Sequence, residues 1–437
     1  MNYLDIRDFG AVGDGKTMNT QAIQKALDAA NQSGETVLIP AGVFVSGTLN
    51  LHSASLHLDA NSILRGSGDL KDYPATGYQH NEMGPVTSLL YSLGGKNIRI
   101  TGYGTIDFNG TVFFDLGKPN VPEWYKTPLN NLQLSECNTV FGDRVNQPAF
   151  FDSVVGLVIE GVTFRDSSCW TLSFNHCQNV LLKNLIVDSD KRLTNNDGMH
   201  FCACNGVVVQ GCTISTGDDC IALTSITDWD TPCENFVISD CLLSSCSKAL
   251  VLGYQYSHVR NVTISNCVIR ESNRGFCIMS GAGVGLVENV TVNNLVIDTK
   301  IRAGNWWGNG EPIFLMGIEH DNGIVVQFNV QKPNRKVEFT IDNVIINNVV
   351  CHAENAIGIV GNGHSIRNLS LSNIFYTAKP TSLNIALKGR TLDTLPALDF
   401  VPVPEDCFLR ISGASDVILN NVHGDKSNGV NRIVSTD

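Results

Sequence analysis

From residue 156 to the end of the chain, one arrangement of apolar and polar positions recurs. It reads "GLVIEGVTF" from Gly156, "NVLLKNLIV" from Asn179, "GVVVQGCTI" from Gly206, "NFVISDCLL" from Asn235 and "NVTISNCVI" from Asn261. It continues as "NVTVNNLVI" from Asn289, "NVIINNVVC" from Asn343, "NLSLSNIFY" from Asn368 and "DVILNNVHG" from Asp416. Successive spacings are 23, 27, 29, 26, 28, 54, 25 and 48 residues. Within each unit apolar residues alternate, so one face is buried. An Asn, Gly or Asp divides two short strands, and these residues tolerate the left-handed backbone angles of a tight bend. A period in the twenties with several short strands per repeat predicts an all-β fold, a right-handed parallel β-helix. Its coils stack about 4.8 Å apart, so equivalent side chains form ladders. The two long spacings are close to double steps and predict a degenerate coil in each. "PIFLMGIEH" at 312–320 and "SLNIALKG" at 382–389 are the candidates. Cys212, Cys241 and Cys267 share one repeat position and read as an interior thiol ladder, because a free Cys behaves as a small buried hydrophobe.

The N-terminal pattern changes period. "TQAIQKALDAA", Thr20 to Ala30, places Ile23, Ala26, Leu27 and Ala30 on one helical face, with Asn19 or Thr20 as N-cap. A short capping helix here would close the open end of the solenoid. "TVLIPAGVFV" and "SLHLDANSIL" then begin the coils. The expected organisation is a single domain over 1–437, with a cap region at 1–40 and coils with inserted loops at 41–437. "GAVGDGKT" at 10–17 matches the phosphate-binding loop of nucleotide hydrolases. That loop needs a strand leading in and a helix starting at once. Here the helix starts about three residues after Lys16 and no β-α alternation follows, so Gly10, Gly13 and Gly15 are turn glycines.

Composition narrows the partners. A net charge of −12 favours neither nucleic acid nor anionic membranes, and no apolar run is long enough for a transmembrane helix. An acidic polysaccharide would need locally placed cations. The 14 cysteines include no C-x-x-C pair, which indicates reduced thiols rather than a disulfide framework. No basic-then-apolar leader opens the chain, so the expectation is a cytoplasmic protein, or a secreted one if a leader was removed. Nothing in the pattern calls for a metal or cofactor, and nothing specifies an oligomeric state.

Two acidic stretches carry the candidate chemistry. "NNDGMHF" contains Asn195, Asp197 and His200; "STGDDCIALTS" contains Asp218 and Asp219. Asp197 lies 21 and 22 residues before the pair, about one coil, so the three carboxylates can gather on one face. Crowded carboxylates repel, and one is held protonated. An acid beside a base is what glycosidic cleavage needs. Solvated bends and Ca²⁺ ligation are the competing readings of the same residues.

On these motifs the chain resembles glycoside hydrolase family 28, the polygalacturonase-like enzymes of the pectinase β-helix group. "NNDG" resembles the family's N-T-D-G motif, and "TGDDCIAL" its G-D-D-C-I-A motif. "DFGAVGDGKTMNTQAIQKAL", "GYGTIDFNG" and "CWTLSFNHCQNVLLKNL" are similar to it as well. The resemblance implies hydrolysis with inversion, exo-acting on pectic oligosaccharides. It implies Asp218 as general acid, Asp197 and Asp219 as the groups that position and activate water, and Asn195 as an orienting residue.

Two motifs depart from the family. Lys248 in "SCSKALVLG" stands where its G-H-G histidine would fall, and Cys277, Ile278 and Met279 stand where its R-I-K motif would fall. A buried uronate wants a charge-assisted partner, which Cys and Met do not supply. Either the subsite takes a neutral or deoxy sugar against an apolar wall, or another cation holds the carboxylate. Lys248 is the first candidate, then Arg274, Lys191, Arg192 and Arg302. The expected specificity is galacturonide- or rhamnogalacturonan-type, altered from simple polygalacturonan. "AGNWWGNGEP" at 303–312 offers Trp306, Trp307 and Glu311 for sugar contact, with Trp124 and Trp170 as weaker stacking candidates. His200 could tune the cluster. The rival readings are a lyase of the same fold, which would need Ca²⁺, and a non-catalytic carbohydrate-binding β-helix.

Overall fold

The computed structural model describes residues 3–120, 131–226, 228, 230–254, 256–279, 284–304, 306–317, 339–380, 391–393 and 400–436. Each repeat folds as two short strands joined at a bend. The middle residues Asn184, Asp240, Asn266, Asn294, Asn348, Asn373 and Asn421 all hold φ of 52–59°. Asn and Asp occupy this region because a short polar side chain lowers its steric penalty through local hydrogen bonding. Coil stacking then aligns the amides. Asn294 Nδ2 donates to Asn266 Oδ1 at 3.0 Å, and Asn348 Nδ2 to Asn294 Oδ1 at 3.1 Å. A second amide ladder runs through Asn235, Asn261, Asn289 and Asn343 at the start of each repeat.

The strands before and after the bend form two parallel ladders that merge in the long strands Gly285–Thr299, Phe339–Ala353 and Ile366–Ala378. A third parallel ladder of twelve described strands runs from Leu49–Asn50 to Arg432–Thr436. The register corrects the expectation of two hidden coils. Val290 pairs directly with Val344, and Leu369 with Val417. Each long interval is therefore one coil carrying an insertion. Ile313–Gly317 is the third-ladder strand of its coil and not a coil of its own. The other candidate, 382–389, lies outside the described residues.

Inward side chains of all three ladders form one continuous core, including a stack of Phe151, Phe174 and Phe201 with centroids 5.5 and 4.8 Å apart. All fourteen cysteines are free and buried, and the Cys212–Cys241–Cys267 ladder lies in this core. The helix Thr20–Ser33 buries Ile23, Ala26, Leu27 and Ala30 against the first coils, as its period requires. Asn19 is its N-cap residue, but its side chain does not cap the helix. It is drawn to the preceding loop, accepting from Val12 N and donating to Thr17 O. Lys16 and Thr17 lie in a strand, Asp14–Met18, paired with Gly42–Ser46, so no helix N-terminus faces the glycine loop. Strand Tyr3–Asp5 pairs with Thr36–Ile39, so the cap region already contributes coil strands.

Candidate active site

The outer side of the third ladder carries a column of charge. Its strands pair in the register Met199, Ile221, Leu250, Phe276 and Ile313. Two residues before each stand Asp197, Asp219, Lys248, Arg274 and Glu311. Backbone bonds hold this alignment: Gly198 N donates to Asp219 O, Cys220 N to Lys248 O and Gly275 N to Glu311 O. Asp218 joins the column from the bend beside Asp219. Gly217 permits that bend, since a Cβ there would lie 2.1 Å from the Leu193 carbonyl oxygen.

All three aspartates are buried. Asp218 Oδ1 accepts from Asp219 N at 2.9 Å, and its Oδ2 from Asn195 N at 3.2 Å. Burial, followed by the charges of Asp197 and Asp219, pushes the Asp218 carboxyl well above the usual range. Burial and Asp219 do the same to Asp197, while Lys248 and Arg144 oppose the rise. Asp219 Oδ1 accepts two bonds from one residue, Lys248 N at 3.1 Å and Lys248 Nζ at 2.9 Å. Burial works against the lysine charge, but Asp219 and Asp218 outweigh it and its pKa is raised. The cluster thus contains two carboxyls that favour holding protons and a third bonded to a cation.

His200, a candidate for tuning the cluster, lies on the outer face of the third ladder but is covered there. It is buried, with Nδ1 2.9 Å from Asp197 Oδ2 and Nε2 3.2 Å from Thr224 Oγ1. Trp170 stacks on it with ring centroids 3.6 Å apart and is itself buried, so this indole fixes the imidazole and offers no face to a sugar. Burial lowers the His200 pKa to about 3, which leaves the ring neutral.

Other candidates also find protein partners. Arg274 and Glu311 are both 0% exposed and form a bidentate pair at 3.0 and 3.2 Å, so neither reaches a ligand. Lys248 is committed to Asp219 instead of standing free for a uronate. Lys191 donates to Ser244 Oγ, Arg192 pairs with Asp190, and Arg302 bonds the Glu271 carbonyl. Trp306 is only 7% exposed, too little for a sugar-stacking face. Trp307 is half-buried and borders the cluster, its ring centroid 5.8 Å from Lys248 Nζ. Cys277 and Met279 belong to a second buried apolar cluster with Ala222, Val251, Phe314 and Met316 on the outer face of the third ladder. The apolar wall exists, but it is covered. Trp124 lies outside the described residues.

Three further residues around the cluster are absent from the sequence candidates. Asn196, 0% exposed, accepts from Gly217 N at 2.8 Å and Asp218 N at 3.0 Å through one oxygen. It ties the two aspartate motifs together, and its place inside "NND" was the available signal. Arg144 donates to Asn195 Oδ1, Thr194 O and Ser168 O, from a loop with no motif to mark it. Glu82 sits at the tip of the antiparallel hairpin Ala75–His80 and Gly84–Thr87. The hairpin rests on the third ladder's outer face through Tyr78 on Phe150 and His80 edge-on to Trp170, with Asn81 Nδ2 donating to Ile226 O. Burial, followed by Asp197, Asp218 and Asp219, raises the Glu82 pKa to about 8. Only an electrostatic reach across the fold marks this residue, and no local pattern records it.

Comparison with known proteins adds to this geometry. The family model described as glycosyl hydrolases family 28 matches residues 30–304, more than half of the chain. A probable polygalacturonase of Vitis vinifera is 26% identical over 326 residues, covering 69% of this chain and 62% of the relative. The exo-poly-alpha-D-galacturonosidase of Dickeya chrysanthemi is 26% identical over 386 residues, covering 78% of this chain and 62% of the relative. The chain thus spans about 62% of the length of these curated relatives. The family 28 exopolygalacturonase of Yersinia enterocolitica shares the fold, with a TM-score of 0.66, 23% identity and coverage of 97% of this chain and 76% of that one.

Proposed function

The chain belongs to glycosyl hydrolases family 28, and on that footing we propose that it hydrolyses pectic oligosaccharides from a chain end, with inversion. One observation carries the reading: three buried carboxylates crowd successive coils, and among the described residues only Asp219 is bonded to a cation. Asp218, pushed toward its protonated form, is the general acid that protonates the leaving oxygen. Asp219 is the base that takes a proton from the attacking water. Asp197, held by the neutral His200, orients that water. Inversion requires room for water between acid and base, with carboxyl groups roughly 6.5–9.5 Å apart in the working complex.

Exo-action is supported by the hairpin Ala75–Thr87. It covers the outer face at Phe150 and Trp170, on the coils that precede the aspartates, and so would bound a substrate cleft on that side. The names of the relatives favour a galacturonide. The engagement of Lys248, Arg274, Lys191, Arg192 and Arg302 with protein partners favours a subsite altered from simple polygalacturonan, of the galacturonide- or rhamnogalacturonan-type.

The test is chromatographic product analysis of wild type and Asp218→Asn on digalacturonate, polygalacturonate and rhamnogalacturonan and neutral pectic oligosaccharides. Single terminal residues should be released by the wild type and not by the variant. A ladder of internal products would remove the exo assignment. Turnover that survives in Asp218→Asn would remove the acid assignment. Loss of activity on chelation would favour the lyase reading instead.

A further inference from the structure

The proposed reaction needs Asp219 held in one orientation as the base. It is buried, with Asp218 beside it and Asp197 on the preceding coil. Lys248 is the group that holds it. Its backbone N and Nζ converge on the same oxygen of Asp219, at 3.1 and 2.9 Å, so it fixes the carboxylate's rotation as well as facing its charge. Ser247 Oγ, 2.9 Å from Nζ, and Trp307, with its ring centroid 5.8 Å away, hold the ammonium from other sides. The next cation in the column, Arg274, is register partner to Lys248, but its charge is met by Glu311 one coil further on. The column therefore divides into two ion pairs, Asp219 with Lys248 and Arg274 with Glu311, and among the described residues Asp197 and Asp218 have no lysine of their own.

We infer that Lys248 is a positioning residue for the proposed hydrolysis, holding Asp219 as the ionised base with one oxygen fixed. The inference rests on the catalytic reading above. Lys248 acts through Asp219 and touches no reacting atom. Among the described residues, the other titratable and charged groups facing this region are Asp197, Asp218 and His200 on the preceding coils, Cys277, Arg274 and Glu311 on the following ones, Arg144 beside Asn195, and Glu82 from the hairpin. Lys248 opposes the rise of both Asp197 and Asp218, so removing it lets those two carboxyls hold protons to higher pH.

The experiment compares wild type, Lys248→Met, Lys248→Ala and Lys248→Arg by kcat, KM and the pH profile of kcat/KM, with a thermal melt confirming that each is folded. Lys248→Met keeps the buried stem and removes only the charge, so it stands in for Lys248→Ala if that variant does not fold. The charge-removing variants should lose about 100-fold in kcat with KM little changed, the scale of misplaced general-base catalysis. The acidic limb should move up by about one pH unit, as when an opposite charge is withdrawn from a carboxylate. Lys248→Arg, which keeps a cation beside Asp219, should recover part of the lost kcat and return the limb toward its wild-type position. A folded Lys248→Met with an unmoved profile would overturn the inference, as would Lys248→Arg matching Lys248→Met in both kcat and limb. Failure of the underlying reading looks different: Asp218→Asn would then keep its turnover whatever Lys248 does.

Discussion

Lys248 and Arg274 are register partners on successive strands of the third ladder, two cations about one coil spacing apart in a buried column. Each is tolerable only because an acid stands on its other side, Asp219 for the lysine and Glu311 for the arginine. The Arg274 guanidinium also lies 4.1 Å from the centroid of Phe314. The pair with Glu311 thus belongs to the scaffold, and the pair with Asp219 to the proposed chemistry.

Glu311→Ala should therefore destabilise the fold without changing substrate affinity. Removing one partner of a buried ion pair leaves an uncompensated charge, at a cost of about 3–5 kcal/mol. Denaturant unfolding measures the loss. A change below about 1 kcal/mol, or a raised KM in protein that remains folded, would assign Glu311 to the substrate after all.

Asn196 makes a different kind of link. Its single oxygen takes the N–H groups of Gly217 and Asp218, while its Nδ2 donates to Asp190 O. Asn196→Ala should cost about 1–3 kcal/mol for the buried donors left without an acceptor. It should also lower kcat by about 100-fold, because the proposed acid then moves by a fraction of an ångström or more. Circular-dichroism melts and initial rates separate the two effects. A variant that loses stability at unchanged kcat would reduce Asn196 to a structural clamp.

The two adjacent tryptophans should behave unequally. Trp307→Ala is expected to raise KM by about tenfold, the worth of one stacking contact, while Trp306→Phe leaves KM unchanged because that ring is buried. Equal effects would show that the loop acts as a unit and that neither ring is a specific sugar platform.

Glu82 sets a pH signature. Its pKa stands near 8 in the folded protein against an ordinary value of 4.5. Between these values the folded state holds a proton that the unfolded state has released. Stability contributed by this group therefore falls as pH rises from about 4.5 to about 8 and is flat above. The stability gap between wild type and Glu82→Gln, followed by chemical denaturation across that range, should shift steadily against the wild type and then level off. A gap independent of pH would show that neither burial nor the aspartates raise the Glu82 carboxyl.

Much of this architecture was written locally. The bend residues Asn184, Asp240, Asn266 and Asn294 declared the coil because backbone angles near φ 55° favour few residue types. The face of Ile23, Ala26, Leu27 and Ala30 declared the capping helix by its period alone. Asp197 and the Asp218–Asp219 pair could be brought together by counting one coil. The same counting misled in the two long intervals, because an insertion leaves no periodic mark and only the pairings of Val290 with Val344 and of Leu369 with Val417 show that no coil intervenes.

What tertiary structure alone decided is which charge meets which. Read along the chain, Lys248, Arg274 and Glu311 are three polar residues near a possible cleft. Stacked in register, they become a buried column whose members neutralise one another before any ligand arrives. Side-chain period and bend preference are properties of a few consecutive residues, so the sequence by itself carries them. Desolvation and Coulomb attraction act through space between residues 29 and 37 positions apart, so the partner of each charge exists only once the coils have stacked.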